Sequence, residues 1–365
     1  MTPEEREALR RRCTLRVAGD PPEPGAEMEA IGAWCREHGH AADRYGEGPL
    51  IGAFEQKIAA LLGLEAAVFM PSGTMAQQIA MRIHAEATGV ASFAMHPTSH
   101  LEIHEQRGYA RVQRLDAVLL GPRTRPTRAD DLTAWPERLA ALLVELPARE
   151  IGGQLPSWDE LAALSSHARS RGIRVHMDGA RLWEAREAYA PRTHAEICAH
   201  FDSVYVSFYK GIGALAGAAL AGSRPFVDEA RLWRKRMGGT LVQLHPFVAS
   251  AAMRFDAQLA RMAPRRAAAI AIGKALAGVE GLRVLPDPPQ VNMFHLHFAA
   301  SPEAMVDARD AIAQSEGSWV PGGFVPGATP GTSTVEVYVG DATAALEPER
   351  VAQAYAKVVA RALAA

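Results

Sequence analysis

The chain has 365 residues, 48% hydrophobic and 22% charged, with 39 basic and 41 acidic side chains and a formal net charge of −2. That composition is close to the globular average and supports a large core, which excludes global disorder. Without a basic lobe the chain offers no broad electrostatic footprint for nucleic acid.

At about 150 residues per domain, two domains are expected. No apolar run approaches the ~20 residues of a membrane-spanning helix. The opening MTPEEREALRRRC is too charged for the core of a secretory signal. Cys13, Cys35 and Cys198 are too few and too scattered for a disulfide framework, and none forms a CxxC pair for zinc. The reading is a cytoplasmic protein. Of the 39 basic side chains only five are lysines (Lys57, Lys210, Lys235, Lys274, Lys357). A lysine on an apolar segment therefore asks for a chemical reason, because a neutral amine is a nucleophile and a guanidinium is not.

In chain order, residues 1–44 read as an N-terminal arm, broken at Asp20-Pro-Pro-Glu-Pro-Gly25, with a short helix over 27–37. Residues 50–62 carry apolar positions at helical spacing and stop at Gly63. Short apolar runs then alternate with helical stretches. The predicted strands are 66–70, 117–120, 141–146, 173–178, 203–208 and 214–222, with helices at 75–87 and 157–172 among those between. The pattern predicts an α/β protein with a mostly parallel central sheet covered by helices on both faces. A helical stretch from about 225 to 279 should break near Gly238-Gly239 and at Pro264. The tail reads strand 282–285, strand 291–298, helix 302–315, strand 334–339 and helix 346–363, a small C-terminal α+β domain. The expected domains are the arm 1–44, a large domain 45–250 and a small domain 251–365.

Four segments concentrate chemistry, each at the end of a predicted strand, where open α/β sheets bind ligands. Met70-Pro-Ser72-Gly73-Thr74-Met-Ala76 opens a helix with hydroxyls and backbone N–H groups, which suits a phosphate or simply caps the helix. Val175-His-Met-Asp178-Gly-Ala-Arg181 ends an apolar strand on a carboxylate, either another cap or a partner for a protonated ring nitrogen, with Arg181 close enough to face the same ligand. Val204-Tyr-Val-Ser207-Phe-Tyr-Lys210-Gly-Ile-Gly213 places Lys210 between an apolar strand and a glycine-rich turn, where a buried amine can form a Schiff base. His96-Pro-Thr-Ser-His100-Leu-Glu-Ile-His104-Glu105 is rich in ionisable groups. His100 and His104 are four apart, a spacing that suits a metal on one helix face, but no further ligands follow at motif spacing. His295 and His297 share one face of a strand and read as structural. A phosphate cradle, a ring partner, a carboxylate for a pyridine nitrogen and a lysine for an aldehyde together describe pyridoxal 5′-phosphate.

These residues resemble a known family. Asp43-Arg-Tyr45-Gly46-Glu-Gly-Pro49, the PSGTMA segment, His100 with Glu105, HMDGAR, YKGIGA and Leu232-Trp-Arg-Lys235-Arg-Met-Gly-Gly239 come in the order and spacing of the threonine aldolase group. That group belongs to the β-eliminating lyases of fold type I, the aspartate aminotransferase fold. The resemblance covers about residues 43–240, and the last third only by pattern. It implies that Lys210 holds the cofactor covalently and that Asp178 keeps the ring nitrogen protonated. It implies that His100 stacks on the ring and assists proton transfer, that Gly73 and Thr74 bind the phosphate with Lys235 reaching in from a neighbouring subunit, and that Ser72 and Ser207 also bind the cofactor. Arg181 would bind the substrate carboxylate at the edge of the cofactor site, and Tyr45 would line the site across a subunit interface. A homodimer or homotetramer acting on a small amino acid follows from the same resemblance, with no nucleic-acid or membrane partner.

The sequence departs from the family at three places. An E-N-T-H-N run is replaced by Glu145-Leu-Pro-Ala-Arg149-Glu-Ile-Gly-Gly153, so the histidine that meets the substrate hydroxyl is missing and Arg149 lies near its place. A late-strand arginine that grips the α-carboxylate is replaced by Glu336. Val242-Gln243 stands where an arginine often follows the Gly-Gly. The expected activity is cleavage of the Cα–Cβ bond of a β-hydroxy-α-amino acid, of threonine or allo-threonine type, to glycine and an aldehyde. The alternative is β-elimination or aldol cleavage of a different amino acid read by Arg149 and Glu336. A non-catalytic binder of a phosphorylated ligand would need neither Lys210 nor Asp178, and a dinucleotide enzyme would show a GxGxxG after its first strand, absent here.

Overall fold

The apolar runs between residues 66 and 222 assemble into one seven-stranded sheet. In chain order its strands are β1 (Ala66–Met70), β2 (Ser92–Met95), β3 (Asp116–Leu119), β4 (Ala141–Glu145), β5 (Arg174–Gly179), β6 (Ser203–Ser207) and β7 (Ala218–Gly222). They lie in the order β1-β7-β6-β5-β4-β2-β3. The run from β6 to β3 is parallel throughout, and only β7 is antiparallel to its two neighbours. The central strands are buried nearly end to end, as a sheet covered on both faces requires. The computed structural model describes residues 1–20 and 22–364 of the chain.

The helices that support the site follow from local signals. α1 (Pro49–Leu62) starts on a proline, buries Leu50, Ile51, Phe54, Ile58 and Leu62 along one stripe, and ends at Gly63 in the left-handed region. α2 (Gly73–Thr88) is capped by Ser72, whose hydroxyl accepts the Met75 N–H, and ends at Gly89, φ 68°. α3 (His100–Ile103) is a single turn, and α4 (Trp158–Ser170) carries a capping box between Ser157 and Glu160. The expected stretch from 225 to 279 resolves into three helices: α5 (Arg224–Arg236), the helix His245–Leu259, and α6 (Met262–Leu276). The second break falls at residues 260–261. Pro264 sits in the first turn of α6, where a missing N–H leaves no helical bond unmade. The strand expected over 214–222 begins only at Ala218, because Gly213 and Gly217 adopt φ of 71° and 106° and make the preceding residues a turn.

The chain divides into two units. One comprises residues 22–150 and 154–260 and holds the large sheet. The other comprises residues 1–20, 151–153 and 261–364. The arm expected over 1–44 is thus shared between them. Its first part joins the second unit because Leu15–Arg16 pairs in parallel with Ser318–Trp319, and Arg6 bonds Asp310 at 2.8 Å. That unit is built on β8 (Leu282–Leu285), β9 (Met293–Phe298) and β10 (Ser333–Tyr338), all antiparallel, with α6, α7 (Pro302–Glu316) and α8 (Pro348–Leu363). Phe294, Leu296 and Phe298 of β9 pack with Val335, Val337, Tyr355 and Val358 in its core. Glu336 stands on β10 opposite His295, and His297 Nδ1 meets the Thr334 hydroxyl at 3.0 Å.

Candidate active site

Glu145 and Asp178 lie at the carboxyl ends of β4 and β5, with Glu145 opposite Asp178 and Asp178 opposite Tyr205 in the middle of β6. Asp178 is 2% exposed. Its Oδ1 accepts the Ala180 N–H at 3.1 Å, and the next helix, Leu182–Ala185, starts after Arg181, so Asp178 is not a helix cap. Burial pushes its carboxyl up to about 6, against the pull of that N–H and of His100. Glu145 rises to about 7, first from burial and then from the Asp178 charge.

Both oxygens of Glu145 are engaged. Oε1 accepts the Arg149 N–H at 2.9 Å and Oε2 the His100 N–H at 3.3 Å. One carboxylate therefore fixes the starts of two loops. His100 Nδ1 lies 3.1 Å from Glu105 Oε1, and the Glu105 side chain is 3% exposed. That bond is the main reason His100 titrates above the usual imidazole range.

Lys210 follows β6 by three residues, at a turn closed by the Gly213 N–H on its carbonyl, 2.9 Å. Burial holds its amine below the usual lysine range, helped by Arg181 and Arg149, with Asp178 and Glu145 opposing. The turn is anchored from the Asp178 side: fully buried Trp183, two residues beyond Arg181, donates its indole N–H to the Ser207 carbonyl at 2.8 Å. After Lys210, a Cβ on Gly211 would meet the buried Glu184 carboxylate, which would have to shift to admit it.

Ser72, Gly73 and Thr74 start α2. The Ser72 hydroxyl is the cap, and the first N–H groups of the helix are the free anion donors. Gly73 is buried over Tyr205, and a Cβ at this position would overlap the Tyr205 hydroxyl. One turn further, Gln77 accepts from His176 Nε2 at 2.8 Å, while His176 Nδ1 and His84 Nε2 both meet the Ser203 hydroxyl at 2.7 Å. This buried network ties the start of α2 to β5, two residues before Asp178.

Tyr45 and Lys235 belong to a second cluster. They line a cavity of ≈ 760 Å³ with Arg44, Glu47, Arg231 and Arg234, and Lys210, Asp178 and His100 are not among its walls. Asp43 shapes it: Oδ1 accepts the N–H groups of Leu244 and His245, and Oδ2 that of Gly46, each at 2.8 Å. Tyr45 is held at φ 56°, uncommon for a residue with a Cβ, and its N–H donates to Val242 at 2.9 Å.

Sequence reasoning gave no role in the site to Glu145, Glu105 or Tyr205, and weighed His104 only as a metal ligand. The signal for Glu145 was its place as the last residue of an apolar strand, the same position that singled out Asp178. Glu105 lies one helical turn and one residue beyond His100. Tyr205 had no sequence signal, since its role depends on the register with Asp178 and on the approach of Gly73.

The residues of the first cluster fit pyridoxal phosphate. A buried carboxylate acts on a lysine whose amine is lowered by burial, the start of α2 packs over Tyr205 on the strand next to that carboxylate, and the fully buried Ser207 hydroxyl sits near the Tyr205 side chain. These are the groups a protein contributes to pyridoxal-phosphate chemistry. The sequence profile of the beta-eliminating lyases matches residues 26–301, and the chain belongs to that family, whose members are pyridoxal-phosphate enzymes of fold type I. A protein assigned as an L-allo-threonine aldolase from Listeria monocytogenes EGD-E superposes with a TM-score of 0.90 at 39% identity, over 96% of this chain and 98% of that one. Aldolase vrtJ of Penicillium aethiopicum is 34% identical over 222 residues, 59% of this chain and 56% of its own length. Low-specificity L-threonine aldolase 1 of Arabidopsis thaliana is 27% identical over 272 residues, 70% of this chain and 73% of its own. The chain thus spans little more than half the length of the first of these curated relatives. Among the described residues no helix is long and apolar enough to cross a membrane.

Proposed function

We propose that the enzyme cleaves the Cα–Cβ bond of a β-hydroxy-α-amino acid of threonine or allo-threonine type, releasing glycine and an aldehyde. The observation that carries this reading is the Lys210 amine, lowered by burial and by two guanidiniums, with Asp178 acting on it in the opposite sense. The similarity to aldolases of this substrate class supports it.

In this reading Lys210 would hold the cofactor covalently through its amine. Asp178 would keep a proton at the ring nitrogen, His100 would stack on the ring, Gly73 and Thr74 would bind the phosphate, and Ser72 and Ser207 would add further cofactor contacts. Pyridoxal phosphate, when bound, supplies the electron sink for the bonding pair released at Cα. Arg181 and Arg149 bind the α-carboxylate and so turn the scissile bond toward that sink. Tyr45 and Lys235 serve the site of a neighbouring subunit, which makes a homodimer or homotetramer the working form; their separate cavity supports this arrangement.

The test is product analysis. Incubation with L-threonine or L-allo-threonine should yield glycine and acetaldehyde in equal amounts. Ammonia with a keto acid would instead assign the site to β-elimination. Arg149 in place of the family's hydroxyl-contacting histidine is the feature that keeps this second reading specific.

A further inference from the structure

His104 is the ionisable residue of the His96–Glu105 segment that the roles above leave unused. It follows α3, and its ring centroid lies 5.1 Å from that of His100. Its Nε2 meets Glu150 Oε1 at 2.8 Å, and the same oxygen accepts from Arg149 Nη1 at 2.9 Å. Arg149 in turn acts on the Lys210 amine. Glu145 anchors the backbone of both ends of this chain, at His100 and at Arg149. An imidazole is thus held beside the ring of His100, on a frame shared with the lysine's neighbours. Its side chain is 37% exposed, so a ligand can reach it.

The other candidates are occupied. Glu145 accepts two backbone N–H groups. Glu105 Oε1 already holds His100 at Nδ1, 3.1 Å away. A carboxylate oxygen only accepts, so Glu150 fixes the hydrogen of neutral His104 on Nε2 and leaves the Nδ1 lone pair as the acceptor.

We propose that His104 is the base that takes the proton of the substrate's β-hydroxyl, with Glu150 as its positioning residue. The inference rests on the aldol-cleavage reading above. In the step, the β O–H bond breaks and its proton passes to His104 Nδ1. The freed oxygen pair becomes the second bond of the aldehyde carbonyl as Cα–Cβ breaks. The Cα–Cβ pair stays with the glycine carbon, which regains a proton.

The experiment compares wild type, His104→Asn and Glu150→Gln as holoenzymes in two reactions. One is cleavage of L-threonine and L-allo-threonine. The other is exchange of the glycine α-proton in D₂O followed by NMR, which needs no β-oxygen. Imidazole ¹⁵N shifts of His104 in cofactor-free protein give an independent readout. The expected result is that His104→Asn lowers cleavage kcat/KM about 100-fold or more, the usual worth of a general base. Glycine exchange should stay within about threefold. Glu150→Gln should lower cleavage less and move the ¹⁵N shifts away from the Nε2–H tautomer. Equal losses in both reactions, or cleavage retained within about threefold, would overturn the assignment while leaving the aldolase reading intact. A wild-type enzyme that exchanges glycine but cleaves neither substrate would remove both. If His104→Asn does not fold, Glu150→Gln decides alone, and unchanged cleavage with unchanged ¹⁵N shifts counts against the proposal.

Discussion

Glu145 stands opposite Asp178 on the adjacent parallel strand, and the Asp178 charge adds to burial in raising the Glu145 carboxyl to about 7. The pair makes the end of the sheet a place where negative charge is costly unless something cationic arrives. Lys210, Arg149 and Arg181 are gathered around it, and a protonated ring nitrogen would complete the balance.

The stability of the cofactor-free protein should therefore depend on pH through Glu145. Its folded value lies above the usual carboxylate range, so between about 4.5 and 7 the folded state binds more protons than the unfolded one. The contribution is fully present below about 4.5 and is lost as pH rises through about 7. Glu145→Gln, which mimics the neutral form, should lose less stability than wild type between pH 5 and pH 8, by on the order of 2 kcal/mol. Thermal or urea unfolding at the two pH values measures this. Parallel pH dependence in both proteins would contradict it.

Glu105 should set the titration of His100. With the carboxylate bond gone, Glu105→Gln moves the His100 pKa down, since that bond is the main upward influence. NMR titration of the imidazole resolves the direction. A His100 that titrates as in wild type would mean that another group holds its charge.

Gly73 should be coupled to Tyr205. A Cβ at residue 73 overlaps the Tyr205 hydroxyl, so Gly73→Ala should destabilise the protein by about 1–3 kcal/mol and weaken pyridoxal-phosphate binding. Tyr205→Phe removes the clashing oxygen. The double variant should be more stable than the sum of the single changes by about 0.5 kcal/mol or more. Strict additivity in a double-mutant cycle would place the strain elsewhere.

Asp43 should control the Tyr45 turn. Asp43→Ala leaves three backbone N–H groups without their acceptor. A loss of about 3 kcal/mol is expected on unfolding in denaturant. The proposed subunit assembly, followed by sedimentation, should weaken as Tyr45 and the 240–245 segment lose their geometry. Full stability would mean that water replaces the carboxylate there.

Much of this was legible in the sequence, for identifiable reasons. The apolar runs ending in Asp178 and just before Lys210 announced both the strands and the two groups that need burial, because an ionisable residue at the end of a dry strand has few bland explanations. The Gly73 turn was legible as a helix start, but its contact with Tyr205 was not, since the two are joined only by the sheet's register. Glu145 was passed over for the same reason: its neighbour in space is 33 residues away in sequence. Tyr45 and Lys235 were expected to reach the site across a subunit interface, and on a single chain they line a cavity apart from Lys210. Pro264 marked a helix break that occurs three to four residues earlier, because a proline marks the first turn of a helix as readily as an end.

The central claim is that Lys210 and Asp178 form a pyridoxal-phosphate site that works on β-hydroxy amino acids. The most direct measurement is the visible absorption spectrum of wild type and Lys210→Ala with pyridoxal phosphate, followed by titration with L-threonine, L-allo-threonine and glycine. The account predicts a lysine-dependent band in wild type, absent in the variant, that shifts with these amino acids while glycine and acetaldehyde accumulate. A band that forms without Lys210, or one that ignores all three amino acids, would contradict it.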